Sequence, residues 1–340
     1  MSDLLAPPFP FVRVTRNDVA RRAGVSTAVV SYVVNDGPRP VSAEKRARVL
    51  KAIADLGYRR DNVAAALSSR RSGIIGLLVP DATNPFFADL ARQIEDHVFA
   101  RGMTVLIGNS EEERAREARH IEAFLSHRVD GVIAALADVD APLPEALNAH
   151  RDRVVLVDRV PATWTGRSIA IDNGHGGWLA GRHLDLCGRA RVAILAGPRG
   201  FRHVEDRVAG CRSGLGAGAA VSVIAADGFT FRDGVEAMRR AAAGAPDAIF
   251  CLTDALAMGA LAAIEERGWR VPRDIAVVGY DDVTLAEIAR PRLTTVRQPI
   301  AEIARQALAL LREPSAARTV VLRPDLVVRE STDRTVGLSP

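Results

Sequence analysis

Apolar and polar positions along this 340-residue chain follow two different periods. From Arg13 to Asn35 the period is helical and the runs are short. Thr15 is placed to cap a first helix, with Asp18 in its first turn, where a negative charge meets the positive end of the helix dipole. Val19 and Ala20 face inward. Gly24 breaks the run where the backbone must turn and a Cβ would resist. Ser26 is placed to cap a second helix, whose Val29, Val30, Val33 and Val34 oppose Thr27, Ala28, Ser31 and Tyr32. Ser42 opens a third helix with Val49, Ile53 and Leu56 on one face and Gly57 at its end. Two helices joined by a tight glycine turn describe a helix-turn-helix, whose second helix lies in the DNA major groove. The same spacing also fits an ordinary helical hairpin.

From residue 73 onward short apolar runs alternate with longer amphipathic ones. GIIGLLVP, TVLIGNS, DGVIAAL and VVLVD read as buried parallel strands, separated by patterns such as FFADLARQIEDHVFARG. After Asp172 the alternation restarts through RVAILAGP, AVSVIAA, AIFCLTD and AVVGYDD. Two successive strand–helix series predict an α/β body of two doubly wound parallel-sheet subdomains. A ligand crevice then lies at the carboxyl ends of the strands, between the halves. Between the two regions, DNVAAALSSRR (61–71) is too short for a stable isolated helix and reads as a linker that Asp61 or Asn62 can cap.

Charge sharpens this division. Residues 1–72 carry 13 Arg and Lys against 6 Asp and Glu, a net +7; the remainder carries 32 against 35, a net −3. A basic head on a mildly acidic body is what phosphate neutralisation requires. No apolar run approaches a membrane span, and MSDLLAPPFPF lacks the pattern of a signal peptide, so a cytoplasmic protein with no membrane partner is expected. The prolines of residues 1–12 predict a disordered lead. Cys187, Cys211 and Cys251 are odd in number and lack metal spacing, which fits reduced thiols in a core and no metal site.

DVARRAGVSTAVVSYVVN resembles the DNA-binding signature of LacI/GalR-family transcriptional regulators, and the likeness runs through VSAEKRARVLKAIADLGY and nearly the whole chain. It implies a helix-turn-helix domain over 13–60, a hinge helix over 61–72, and an effector-binding body over 73–340 like a periplasmic sugar-binding protein. One subdomain would comprise about 73–172 and 299–325, the other about 173–298 and 326–335, with crossings near 172, 298 and 325. The resemblance assigns Thr27, Ala28 and Tyr32 to base reading. Ser26, Ser31 and Asn35 fall at phosphate or turn-fixing positions, and Thr15 is counted with the DNA-binding residues. Ala28 offers only apolar contact, as to a thymine methyl. In the hinge, Leu67 matches a leucine that wedges into the minor groove, with Ala64 and Asn62 beside it. Arg60 stands where the family often has proline, Val29 where it usually has threonine.

Residues at the predicted strand ends match the family's effector positions: Asp81, Phe86, Phe87, Asp158, Phe201, His203, Arg207, Phe229, Thr253, Asp281 and Gln298. Carboxylates and a bidentate arginine suit vicinal hydroxyls; aromatic faces suit a sugar ring. Each has a plainer alternative. Phe86 or Phe87 could pack one subdomain, His203 could be a surface-loop histidine, and Asp254 and Asp282 could only cap helices. Thr253 replaces the usual Asn or Ser, and the basic, aromatic RGFRHVED stretch (199–206) admits a phosphorylated, carboxylated or nucleobase ligand beside a plain sugar. No G-x-G-x-x-G, Walker loop or G-x-S-x-G elbow follows a strand, so neither an enzyme nor a cofactor is expected. A free-standing binding protein leaves the basic head unexplained. The sequence therefore predicts a homodimeric repressor that reads a palindromic double-stranded operator under the control of a small-molecule effector. No heptad tail follows the last strand, so a tail-mediated tetramer is not expected.

Overall fold

The computed structural model describes residues 14–34, 39–58, 71–137, 143–313 and 318–332. It divides into two compact units, residues 1–72 and 73–340. The expected lead and nearly all of the hinge segment lie outside the described residues, as do Asn35, Asn62, Ala64 and Leu67.

The first unit contains helices α1 (Arg16–Ala23), α2 (Thr27–Val34) and α3 (Ala43–Leu56). Thr15 and Asp18 form a reciprocal capping box at the start of α1, and Gly24 closes the helix in the left-handed region at φ 64°. Ser26 Oγ accepts from the Val29 amide at 3.4 Å, and Ser42 Oγ from the Lys45 amide. Val19, Val30 and Val49 are fully buried where the three helices meet, joined by Ala20, Ala23, Val33 and Ala52. Tyr58 completes this core. The periodicity did not mark it because it lies beyond Gly57, where the chain folds back and the Tyr58 amide donates to the Ile53 carbonyl.

The second unit holds two six-stranded sheets. The first comprises β1 (Ile74–Val79), β2 (Thr104–Asn109), β3 (Gly131–Ala134), β4 (Val154–Asp158), β5 (Arg167–Ile171) and β11 (Thr319–Leu322), in the order β11-β5-β4-β3-β1-β2. The second comprises β6 (Arg191–Ala196), β7 (Ala220–Ala225), β8 (Ala248–Cys251), β9 (Ala276–Asp281), β10 (Thr294–Arg297) and β12 (Asp325–Val327), in the order β12-β10-β9-β8-β6-β7. Every pairing is parallel except β10 with β12. The exception arises because β12 follows β11 after a two-residue connection and runs back along β10. The chain passes between the sheets three times, after β5, after β10 and after β11.

Helices cover both faces of each sheet, which is why the strands read as continuous apolar runs. On the first sheet, α4 (Pro85–Phe99) and α12 (Ile300–Arg312) share a core with Leu77, Ile133 and Val155. On its other face α5 (Arg114–Ser126) and α6 (Glu145–Ala149) pack on Leu78, Val132 and Leu156. On the second sheet α7 (Asn173–Leu186) and α8 (Arg202–Gly214) lie on one face, α9 (Phe231–Ala241) and α10 (Asp254–Glu266) on the other. Helices α7 and α8 touch backbone to backbone. A Cβ on Gly177 would lie 2.1 Å from the Arg207 carbonyl oxygen, and one on Gly210 2.1 Å from that of Gly174. Short α11 (Thr284–Ile288) follows β9. None of the three cysteines forms a disulfide; Cys211 and Cys251 are buried, but Cys187, just past α7, is only half-buried, against the expectation of a core thiol.

Candidate functional site

In the first unit, α2 turns Val30 and Val33 inward and leaves Thr27 and Ala28 exposed, with Ser31 and Tyr32 half-buried. Ser26 is exposed at the helix start. Thr15 is exposed too, but its hydroxyl donates to Asp18 Oδ2 at 2.6 Å. That bond, with the backbone and Arg21, holds the Asp18 carboxyl below its ordinary range. The described residues of this unit carry nine cations and three carboxylates. A basic surface with a short helix presenting small polar side chains is suited to phosphate and groove contact.

In the second unit the carboxyl ends of the two sheets face each other, and their last residues are conformationally unusual. Asp158 ends β4 at φ 64°, Asp281 ends β9 at φ 114°, and Asp282 follows at φ 59°. Non-glycine residues held in this region cost energy and cluster at ligand sites. Asp281 is buried; its Oδ1 accepts from Gln298 Nε2 at 2.7 Å. Burial pushes its carboxyl up to about 7, opposed by Arg207 and Gln298 and reinforced by the charge of Asp158.

Arg207 lies in the second turn of α8, which begins at Arg202. The tight α7–α8 crossing sets it beside the start of α7. Its Nε donates to Asn173 Oδ1 at 2.8 Å, its Nη1 to the Leu252 carbonyl at 2.6 Å, and its guanidinium lies 3.5 Å from the Tyr280 ring centroid. Tyr280 also donates to Asn173 Oδ1, and burial pushes its hydroxyl up to about 12. His203 is buried in the first turn of α8, not a surface histidine. Burial, then Arg159 and Arg207, hold its imidazole well below the ordinary range, so it is neutral at pH 7. Phe201, His203 and Phe229 form an aromatic triad with ring centroids 5.5–6.0 Å apart.

Arg159, next to Asp158 on the first sheet's side, reaches this triad. Its guanidinium sits 4.9 Å from the Phe201 centroid and 5.8 Å from that of Phe229. It also donates to both carboxylate oxygens of Glu112, at 2.8 and 3.1 Å, and to the Ala137 carbonyl. Asp158 Oδ1, Arg159 Nε and Gln298 Oε1 are buried without a hydrogen-bond partner. A cavity of about 550 Å³ opens beside Asp158 and Arg159, lined also by Trp164, Asp172, Asn173, His203, Asp206 and Thr319 among others.

Of the eleven effector candidates, Asp158 and His203 line this cavity. Phe201 and Phe229 adjoin His203 and Arg207 bonds to Asn173, two of its lining residues, whereas Asp281 and Gln298 bond to each other and do not line it. The structure does not bring the others there. Phe86 and Phe87 pack edge to face, 5.0 Å apart, within the core of the first sheet. Asp81 turns back onto Thr83, accepting from its amide and hydroxyl. Thr253 caps α10, accepting from the Leu256 amide. Asp254 is therefore no cap: it accepts from the Val283 amide and the Thr295 hydroxyl, pinning β10 and the segment after β9. Asp282 is held by Arg297 and Arg329, each at 2.6 Å. Arg159, Glu112, Asn173 and Tyr280 were not among the candidates. Arg159 and Tyr280 adjoin candidates in sequence, whereas nothing in the local pattern connects Glu112 to β4.

Among the described residues no cluster of three or more His, Cys, Asp or Glu could hold a metal, and no helix is long and apolar enough to cross a membrane. Residues 15–61 match the bacterial regulatory proteins of the lacI family, and residues 182–332 match a periplasmic binding protein-like domain. The HTH-type transcriptional regulator GalR of Escherichia coli strain K12 is 35% identical over 296 residues, covering 84% of each chain. A transcriptional regulator CelR–cellobiose complex has a TM-score of 0.68 at 32% identity, covering 94% of this chain and 100% of that one. The lac repressor dimer bound to operator and the anti-inducer ONPF has a TM-score of 0.78 at 27% identity, covering 94% and 99%. A chain that matches one description in its head and another in its body, and is 35% identical to GalR over the 296 residues aligned, belongs to the lacI family of bacterial regulatory proteins.

Proposed function

We propose that this protein is a cytoplasmic, sequence-specific transcriptional repressor, not an enzyme, whose operator affinity is set by a small molecule bound between the two sheets. One observation carries the reading. The same chain pairs a basic helix-turn-helix, with Thr27 and Ala28 outward, and a two-sheet body whose facing strand ends hold buried polar atoms without partners. Ser26, Ser31, Tyr32 and Asn35 complete the DNA contact of the 13–60 domain. Residues 61–72 form the hinge helix, with Leu67 as the minor-groove wedge beside Asn62 and Ala64. The effector is a sugar or sugar derivative in the cleft of Asp158, Phe201, His203, Arg207, Phe229, Asp281 and Gln298. The relative bound to cellobiose and the one bound to ONPF support that class. The ligand acts by its different affinity for two closure states of the body.

A homodimer supplies the second recognition helix for a palindromic site. Edge strand β2 supports this. Leu106 and Ile107 point to opposite faces of the sheet, yet both are exposed, at 39% and 51%. The test is selection of bound DNA from a random library by the purified protein at two salt concentrations. An enriched palindrome with salt-sensitive affinity is the expected result. Salt-sensitive binding with no enriched sequence, with and without added sugars, would reject the operator reading.

A further inference from the structure

Strand β7 forms one edge of the second sheet, and β6 engages only alternate residues along it. The Ala220 amide donates to the Ala190 carbonyl, and the Ala226 amide to that of Ala196. The parallel register is unbroken between these bonds, so Ala220, Ser222 and Ile224 face β6. Val221, Val223 and Ala225 turn their N–H and C=O groups away from it, and Arg240 Nη2 meets the Ala225 carbonyl there at 2.7 Å. An open edge is a template for a further strand, and native chains usually blunt it with charge, proline or a bulge. The edge strand here reads AVSVIA and carries none of the three.

Side-chain alternation sets Val221, Val223 and Ala225 on the face that carries α7 and α8, and Ile224 on the face of α9 and α10. Helix α8 does not cover the edge. Val223 is 37% exposed, and a groove of about 370 Å³ opens between β7 and α8. Val223 and Ala225 line one side, Val204 and Val208 the other, with Ala196 of β6 between them. From Val204 to Arg212 the helix rises roughly 12 Å, the length of about four residues of extended chain. Charge marks the two ends. Arg199 lies in the loop before α8 and Arg212 in its last turn, and both are exposed and line the groove. Neither makes an ion pair or hydrogen bond among the described residues. Glu205 offsets one of them, which leaves the groove positive.

We propose that this groove binds an extended acidic segment of a partner protein, which adds to β7 as a further strand. Its backbone pairs with Val221 and Val223, its apolar side chains enter between β7 and α8, and its carboxylates meet Arg199 and Arg212. A small anion would use the arginines and leave the edge open. A second copy of this strand would pair with the edge but bring no carboxylate. An acidic strand matches both features at once. The site is separate from the effector cleft. His203 and Arg207 of α8 do not line the groove, so partner and effector can occupy one chain together.

The test uses the full-length protein. A displayed library of random octapeptides is selected on it, and the enriched peptides are synthesised with a fluorophore and titrated by anisotropy. The expected sequences alternate apolar residues with Asp or Glu. Their Kd should rise about tenfold or more with Arg212→Glu, with Val223→Lys, and when alternate peptide amides are N-methylated. Far-UV circular dichroism shows whether each variant folds; if Val223→Lys does not, the methylated peptides decide the strand pairing on the wild-type protein. Enriched peptides that are basic or uncharged overturn the acidic class. Binding that survives methylation reduces the contact to charge and overturns strand addition. No enriched peptide, or peptides that bind both variants as they bind the wild type, overturns the site. Self-association beyond a dimer that Val223→Lys removes, read by sedimentation, gives the edge to a second copy and overturns the partner assignment.

Discussion

At the scale of single residues, the cleft is a set of buried polar side chains that use most of their bonding capacity on one another. Asp281 shows the cost. Its carboxyl titrates near 7 in the folded chain because burial outweighs its bond from Gln298 and its attraction to Arg207. Below about pH 4 the group is protonated in both folded and unfolded chains and contributes nothing. Between about 4 and 7 the unfolded chain ionises first, so the group lowers stability as pH rises, and the penalty is complete above about 7. Asp281→Asn should therefore stabilise the body by on the order of 2 kcal/mol at pH 8 and very little at pH 4.5. Denaturant melts across that range check it; a difference that does not grow with pH would refute it. Arg159 makes one of the contacts between the two sheets' ends. Arg159→Ala removes the cation–π contacts to Phe201 and Phe229, worth roughly 0.5–2 kcal/mol. Small-angle scattering of the unliganded protein should then give a larger radius of gyration; an unchanged value would show that other contacts hold the cleft closed.

At the scale of elements, the site depends on how closely two helices approach. Helices α7 and α8 meet through glycines, which lets Asn173, at the start of one, bond to Arg207 in the other. Gly177→Ala places a methyl group 2.1 Å from a backbone oxygen, so the helices must separate. The expected loss is roughly 1–3 kcal/mol, with a weaker effector response because Arg207 shifts. Wild-type stability in urea would show that the crossing adjusts without strain. The proposed hinge is the other element at which a change can be tested. Leu67→Ala should weaken operator binding by about 1–3 kcal/mol while leaving effector binding to the body intact, as titration of each partner would reveal. Undiminished operator affinity would remove the wedge assignment.

At the scale of the whole molecule, the proposed dimer is made through the body. A fragment of residues 73–340 should fold, bind effector and sediment as a dimer. The compactness of that unit supports independent folding, and the exposed Leu106 and Ile107 of β2 supply apolar surface for a partner. A folded monomer in analytical ultracentrifugation would place the dimer contact elsewhere.

The sequence by itself determined the order of strands and helices, the helix-turn-helix with its caps at Thr15, Ser26 and Ser42, the split between a basic head and an α/β body, and the family. These features follow from local periodicity, cap chemistry and charge, which act over a few residues and need no knowledge of distant partners. The tertiary structure alone decided which strand-end residues share a cleft. Phe86, Phe87 and Thr253 carry suitable chemistry, but their side chains are consumed by a core and a helix cap. Glu112 and Arg159 lie 47 residues apart and meet because β2 and β4 belong to one parallel sheet and the loops that follow them leave from its same end. The antiparallel β12 was likewise set by a chain crossing. Which polar groups satisfy one another is a property of three-dimensional proximity, and no local pattern in the chain encodes it.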